Sequence, residues 1–195
     1  MTLNRFPNEL LEDQIGAGIV PSSANLAGIA EAGLQNPGVP ILLAANTTYT
    51  IDSDTTIGAD LVFHRGAKLQ PASGITVTIE GMIAAPMEQI FIGDGEIVIN
   101  SLHQPVVYPQ WWGAIPHTDE IVATAQTDAG PGFAAAIKAH SPSAHIRPGP
   151  GIFDFVTQAY VAGGHANKEV LIEGSGEDLT ILRSFNTSGA IMIEA

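Results

Sequence analysis

Short apolar segments with strict alternation dominate the chain between residues 39 and 100. Apolar residues recur two positions apart at residues 49–51, 61–63 and 77–79, with turn-forming residues such as Gly58-Ala59-Asp60 between the segments. Successive side chains of a β-strand point to opposite faces, so each segment predicts a short strand with one buried face. Short strands spaced in this way are typical of a small sandwich and of the rungs of a solenoid, and the spacing leaves both open.

The composition narrows the classes of function. The chain has 20 acidic and 7 basic residues, a net charge of −13, and we therefore expect no nucleic-acid partner, because an acidic surface repels phosphates. The absence of cysteine excludes disulfides and thiolate chemistry. No apolar run approaches the roughly 18 residues of a membrane span, so no membrane partner is expected. The first residues lack a signal-peptide pattern, and classical secretion is not expected.

Glycine and proline divide residues 1–38 into short pieces, unlike the alternating segments that follow, and we interpret these residues as an N-terminal arm. Within the arm, Leu26, Ile29 and Leu34 lie at helical spacing after a possible cap at Ser22 or Ser23. The pattern predicts a helix of two to three turns. A helix this short and interrupted by glycine is unstable alone in water. We therefore expect it to dock on its own domain or on a partner.

Residues 106–148 are interpreted as a linker with a capping helix. Two adjacent tryptophans in a proline-bounded joint favour an internal clamp between domains over an exposed sugar-stacking platform. Thr127 or Asp128 is expected to cap the helix, which ends at residues 140–142. The predicted joint-packing residues are Trp111, Trp112, Phe133 and Ile137.

The strand pattern returns after residue 149. Strands are predicted at residues 152–155, 159–161, 170–172, 180–182 and 191–193, and the last three recur at a spacing that suits the three-sided rungs of a parallel β-helix. A further strand is predicted at residues 90–92. The predicted domains are residues 1–38, 39–105, 106–148 and 149–195. Because the chain stops after an apolar strand, we expect it to be the N-terminal part of a longer protein.

The acidic pairs and the histidines of the sequence give little indication of a catalytic or metal site. The close acidic pairs, such as Asp52 with Asp54 and Asp94 with Glu96, fall in predicted turns, where aspartate bonds to the backbone. The six histidines lack the helical pairing of a zinc protease. We therefore predict no catalytic residue, no metal site and no cofactor for this chain.

Two groups of motifs resemble the pectate-lyase-like β-helix proteins of bacteriophage tailspikes and tail fibres. The first group is the ordered series of strands and turns in residues 44–99. The second resembles the family's opening segment: Trp111-Trp112-Gly113-Ala114, then Thr127-Asp128, an alanine-rich helix, and Pro148-Gly149-Pro150-Gly151. The chain departs from the pattern where Ile115-Pro116-His117 replaces an Asp-Gly step, where residues 120–126 resemble an insertion, and where Ala129 replaces a second aspartate.

The resemblance implies a fold and a function. The implied fold is mainly β: an arm with a short helix, a small β-rich domain, a second short helix, and the start of a right-handed parallel β-helix. The implied function is structural, in the attachment and trimerisation region of a virion tail used in host adsorption. The chain would form a homotrimer, bind tail or baseplate proteins through the arm, and meet host polysaccharide only through a distal region. The implied anchoring residues are Phe6, Leu10, Leu11, Ile15, Leu26 and Ile29.

Two other functions remain open at this stage. The first is the leading domain of a polysaccharide depolymerase or lyase, whose catalytic coils would lie beyond Ala195. The second, which the missing signal-peptide pattern disfavours, is a secreted cellular β-helix adhesin.

Overall fold

A computed structural model of the chain describes residues 18–35, 38–100, 102–118, 127–157, 169–176 and 179–185. The expectation of a mainly β protein with few helices is confirmed. Contacts divide the chain into two compact units. Unit 1 comprises residues 1–86 and 93–96, and unit 2 comprises residues 87–92 and 97–195. The division into four functional segments stays a prediction.

Unit 1 is built from short strands that pair in parallel. Its strands are β1 (Ile41–Leu43), β2 (Thr48–Ile51), β3 (Thr55–Ile57), β4 (Leu61–Phe63), β5 (Lys68–Pro71), β6 (Thr76–Ile79) and β7 (Ile83–Ala84). β4 lies between β1 and β7, while β2 pairs with β5 and β3 with β6.

The register of these pairs resolves the choice that the spacing left open. Ile41 pairs with Leu61, and Leu61 pairs in turn with Ile83. Every strand therefore lies on the equivalent strand of the next stretch of chain, and three short strands make one coil. Hairpins of a sandwich would pair antiparallel with near neighbours in sequence. The parallel register excludes that arrangement for β1 to β7.

The predicted alternation is confirmed in unit 1. β2, for example, exposes Thr48 and Thr50 and buries Tyr49 and Ile51. The inward side chains of successive coils lie over one another and form the core. Its largest fully buried members include Ile41, Leu42, Leu43, Ile51, Leu61, Leu69 and Ile79.

Turn residues connect one coil to the next. The backbone N–H of Thr76 donates to Asp54 Oδ1, and that of Met82 donates to Asp60 Oδ1, each at 2.8 Å and each 22 residues along the chain. Such bonds satisfy backbone donors at the corners, where the strand ladder is interrupted. Asp54 thus has the turn role that its sequence context predicted.

The helix of the arm is α1 (Leu26–Gln35). Its cap is Asn25 instead of the predicted Ser22 or Ser23, because Asn25 Oδ1 accepts the backbone N–H of Gly28 at 3.0 Å. The hydroxyl of Ser23 donates to the same oxygen at 2.8 Å. Ile29 is 2% exposed, and α1 contacts β1 and β2. The helix therefore docks on its own domain.

Unit 2 combines parallel strands with two short helical segments. It contains the last four residues of β8 (Glu96–Asn100), a 3-10 helix (Pro109–Trp112), α2 (Gly130–Ala139), β9 (His140–Ser141), β10 (Ala144–Ile146), β11 (Gly151–Phe155), β12 (Val170–Ile172) and β13 (Thr180–Ser184). β8 pairs with β9, β10 with β12 and β11 with β13, all in parallel. Ala144 lies opposite Val170 in this register, and Gly151 lies opposite Thr180.

The outcomes for the predicted strands of unit 2 differ. The strand at residues 170–172 is confirmed, and those at 152–155 and 180–182 are found with longer bounds. The predicted strands at 159–161 and 191–193 lie outside the described residues. The prediction of a strand at residues 90–92 is wrong, because Phe91 alone forms a bridge there. The N–H groups of Ile90 and Phe91 both donate to the carbonyl of Trp111, at 3.1 and 2.9 Å.

Stability should follow the burial pattern of unit 1. Leu69 is fully buried, whereas Met82 in the same unit is 54% exposed. Leu69→Ala is expected to lower the free energy of unfolding by about 2–5 kcal/mol, because it removes buried methyl groups and leaves a cavity. The control Met82→Ala should change it by roughly 0.5 kcal/mol or less. Urea denaturation followed by far-UV circular dichroism measures both, and equal losses would contradict the assigned core.

Candidate functional site

The clearest candidate site of unit 2 is centred on β11. Phe153 and Phe155 are buried on one face of this strand, and Asp154 is fully buried on the other. A buried carboxylate is costly unless charged or hydrogen-bonding partners surround it. The partners of Asp154 therefore indicate what the site does.

Asp154 forms an ion cluster with Arg183 and His117. Arg183 lies directly opposite Asp154 in the β11–β13 register, and its Nε and Nη2 donate to Oδ1 and Oδ2 at 2.8 and 3.0 Å. This bidentate geometry is the strongest form of carboxylate pairing. His117 Nε2 lies 3.1 Å from Asp154 Oδ2 and 3.1 Å from Arg183 Nη2. Three segments distant in sequence thus meet at one carboxylate.

Backbone contacts hold His117 in place. Its N–H donates to the carbonyl of Ile152 at 3.0 Å and its carbonyl accepts the N–H of Ile152 at 2.9 Å, in an antiparallel bridge. The Nδ1 atom of the ring is buried, with no hydrogen-bond partner among the described residues. Arg183 also lies over the ring of Phe185, 5.0 Å from its centroid, a cation–π distance.

The ion cluster has the properties of a crosslink. Asp154 has no solvent exposure and both its oxygens accept bonds from Arg183, so it cannot reach a substrate proton. The described residues contain no group of three histidine, cysteine, aspartate or glutamate side chains that could hold a metal ion. The arrangement can bind β13 and the segment around His117 to β11.

Asp128 makes a second crosslink at the end of β11. Its Oδ1 accepts the N–H groups of Gly130 and Val156 at 3.0 and 3.1 Å, and its Oδ2 accepts the hydroxyl of Thr157 at 2.6 Å. Burial alone would raise the pKa of Asp128. The bonds from the Thr157 hydroxyl and from the backbone of Val156, Gly130 and Thr157 outweigh burial and lower that pKa below its ordinary value.

The predicted capping role of Asp128 is corrected by one position. The N-cap of α2 is Ala129, and Asp128 accepts the N–H of Gly130 from the residue before the cap. A cap residue bonds further into the helix, and Asp128 cannot do so while it also holds Val156 and Thr157. Asp128 therefore joins the start of α2 to the end of β11. The helix ends at Ala139, next to the predicted end at residues 140–142.

Trp111 and Trp112 belong to an aromatic cluster with Phe91 and Tyr108. Ring centroids of Trp111 lie 5.2 Å from Tyr108 and 6.4 Å from Phe91, and Trp112 lies 4.8 Å from Phe91. Trp111 is 1% exposed, so it cannot serve as an exposed stacking platform for sugars. Trp112 and Tyr108 are half-buried. Trp111 is thus packed inside unit 2, and the expected clamp between domains stays a prediction.

Phe133 and Ile137 belong to a different cluster. The ring of Phe133 lies 5.5 Å from that of Phe153 and 4.9 Å from that of Phe155, both edge to face. α2 thereby covers the aromatic face of β11, with Ile137 9% exposed. The four predicted joint residues are thus divided between two clusters. Their role at a domain joint stays a prediction.

The predicted anchoring residues are mostly beyond the described structure. Phe6, Leu10, Leu11 and Ile15 lie outside the described residues, and Leu26 is the first residue of α1. Ile29 is buried against its own unit. An anchoring role for this set stays a prediction.

Sequence reasoning missed the charged contacts between coils. A second example is exposed: Glu173 follows β12, and its Oε2 accepts Arg147 Nη2 and lies 3.0 Å from His145 Nε2. The hydrogen bond from Arg147, followed by that from His145, lowers the pKa of Glu173. The available signal for the buried cluster was an aspartate between two phenylalanines in residues 153–155. Its partner Arg183 lies in another coil and could be found only once the coil length was known.

Removing one member of the ion cluster should cost more than removing both. Asp154→Ala is expected to lower the free energy of unfolding by about 3–5 kcal/mol, because it leaves the Arg183 charge without its counterion. The double variant Asp154→Leu with Arg183→Met should recover most of that loss. Both tryptophans lie in unit 2, so tryptophan fluorescence during urea denaturation reports on this unit. Additive losses in the double variant would contradict a paired cluster.

Asp128 gives a pH-dependent prediction. Its folded pKa lies below its unfolded value of about 3.9, so the stability it contributes is complete above that value and is lost as the pH falls through the folded pKa. The unfolding free energy of the wild type should exceed that of Asp128→Asn at pH 6. The difference should shrink toward pH 3, and a difference that grew on acidification would contradict the assignment.

Comparison with known proteins found no relative. No protein-family model, no curated protein and no solved structure matches the chain. Among the described residues, no helix is both long and apolar enough to span a membrane. The function must therefore be inferred from the contacts above and from the sequence resemblance.

Proposed function

We propose that this chain is a structural part of a bacteriophage tailspike or tail fibre, located near the virion. Each of its two parallel regions would consist of coils of a right-handed β-helix. The observation that carries the proposal is the parallel register, which recurs from coil to coil in unit 1 and again in the strands β10 to β13 of unit 2. Stacked coils of this kind are typical of solenoid proteins.

The contacts between coils suit a part that transmits force. Within each unit, backbone ladders join the paired strands, and carboxylates add bonds between the same stretches of chain: Asp54 and Asp60 in unit 1, Asp154 and Glu173 in unit 2. Pulling one coil away from its neighbour breaks these bonds together.

The proposal includes a homotrimer. Identical solenoid chains around one axis bury flanks that a single chain leaves in water. Exposed apolar side chains are present in both units and include Met82, Met87, Leu102 and Ile115. Light scattering coupled to size exclusion should give a mass about three times the 20.3 kDa of one chain. A stable monomer at micromolar concentration would contradict the trimer.

The arm provides the test of attachment. Ile19 pairs with Ile41 and Ile29 is buried, so residues 18–35 belong to the packing of unit 1. Deleting residues 1–17 should therefore leave the fold and the trimer intact while abolishing incorporation into phage particles. The larger deletion of residues 1–38 should also destabilise unit 1, because it uncovers β1 and β2. Normal incorporation of the chain that lacks residues 1–17 would contradict the anchoring role.

The enzymatic alternative has its own assay. If the chain were the leading domain of a depolymerase or lyase, a longer parent protein should release new reducing ends from host capsular polysaccharide and this chain alone should not. Activity of this chain alone would overturn the structural proposal.

A further inference from the structure

One buried ionisable side chain of unit 2 lies outside the ion cluster. His140 begins β9 and pairs with Ile99 of β8, and it has no solvent exposure. Histidine is the side chain whose charge ordinarily changes between about pH 5 and pH 8. A buried charge is costly unless it is paired. The bonds of the His140 ring therefore determine whether the folded chain can accept a proton at this position.

Two backbone groups fix the protonation of the His140 ring. The N–H of His145 lies 3.0 Å from Nδ1, and the carbonyl of Gln104 lies 2.6 Å from Nε2. A backbone N–H can only donate, and a backbone carbonyl can only accept. Nδ1 must therefore carry no proton and Nε2 must carry one. The folded chain accordingly holds His140 as the neutral imidazole.

The His140 ring joins two segments that are distant in sequence. Gln104 lies in the loop 102–107, which leads from β8 toward the 3-10 helix. Val107 at the end of this loop bonds to β10, because its N–H donates to the carbonyl of His145 at 3.0 Å and its carbonyl accepts the N–H of Arg147 at 2.9 Å. The ring extends this contact from His145 to Gln104. The loop is thus held at both of these residues to the corner between β9 and β10.

A second proton on the ring would place two donors against each other, because the N–H of His145 already points at Nδ1. The ring has no solvent exposure, so water does not replace the lost bond. Charges on the elements packed against His140 belong to exposed or half-buried side chains, which solvent screens. These side chains are Glu96 at the start of β8, His103 in the loop 102–107, Lys138 on α2, and His145, Arg147 and Glu173 around β10 and β12. Protonation of Nδ1 therefore opens the corner.

We propose that His140 is a pH-sensitive link between the loop 102–107 and the corner of β9 and β10. The neutral ring holds the two segments together. The unfolded chain takes up a proton on this histidine below about pH 6.5, and the folded ring can accept it only by losing the bond to His145. The stability that the link contributes is therefore complete above this pH and is lost as the pH falls. The inference does not rest on the proposed function.

Urea denaturation between pH 7.5 and pH 5, followed by tryptophan fluorescence, tests the link in the whole chain. The wild type is compared with His140→Asn, whose side chain takes up no proton in this range. The unfolding equilibrium constant of the wild type, divided by that of His140→Asn, should rise about thirtyfold from pH 7.5 to pH 5. The control His103→Asn changes an exposed histidine of the same loop and should keep the pH dependence of the wild type. A change in the ratio of less than about threefold would overturn the proposal.

Nitrogen NMR of the histidine rings in the wild type keeps the proposal testable where His140→Asn fails to fold. At pH 7.5 the His140 ring should carry its proton on Nε2 and none on Nδ1. This state should persist on acidification until the native amide signal of His145 is lost, whereas the exposed ring of His103 should gain its second proton while that signal remains. A proton on Nδ1 of His140 with the native amide signal of His145 unchanged would refute the link.

Discussion

Parallel stacking in register is the constraint on which the rest of this structure depends. A single coil of three short strands has apolar side chains on its inner face and too little area to bury them. Burial is achieved only when the next coil places Leu61 over Ile41 and Leu69 over Tyr49. The strands can remain short because the stack, and not the strand, is the unit that excludes water.

The same stacking makes a buried carboxylate tolerable in unit 2. Because β13 pairs with β11 in parallel, the register of the two strands places Arg183 opposite Asp154. Little side-chain freedom remains to be lost when the bidentate pair forms. A register shift of one residue would turn Arg183 to the other face and leave Asp154 buried without its partner. The ion cluster therefore specifies the register as well as joining three segments.

Local patterns in the sequence predicted the strands better than the contacts between them. Alternation located β2, β4 and β6, and the apolar run at residues 170–172 located β12, because these signals lie within a few residues. The offset between paired strands spans a whole coil and is not visible in any such window, so the pairing of Asp154 with Arg183 and of Asp128 with Thr157 could not be found. At residues 90–92 the local pattern predicted a strand that does not form. They alternate like a strand, but their N–H groups bond to the carbonyl of Trp111.

The N-terminal end of the stack shows how such a fold is completed. A coil at the end of a stack has one edge that its neighbours cannot pair, and natural proteins cover such edges. Here Ile19 and Asn25 cover β1 and β2, and Asn25 also caps α1 through its side chain. Asn25 therefore covers the edge of β2 and also begins the helix that closes the core over Ile29.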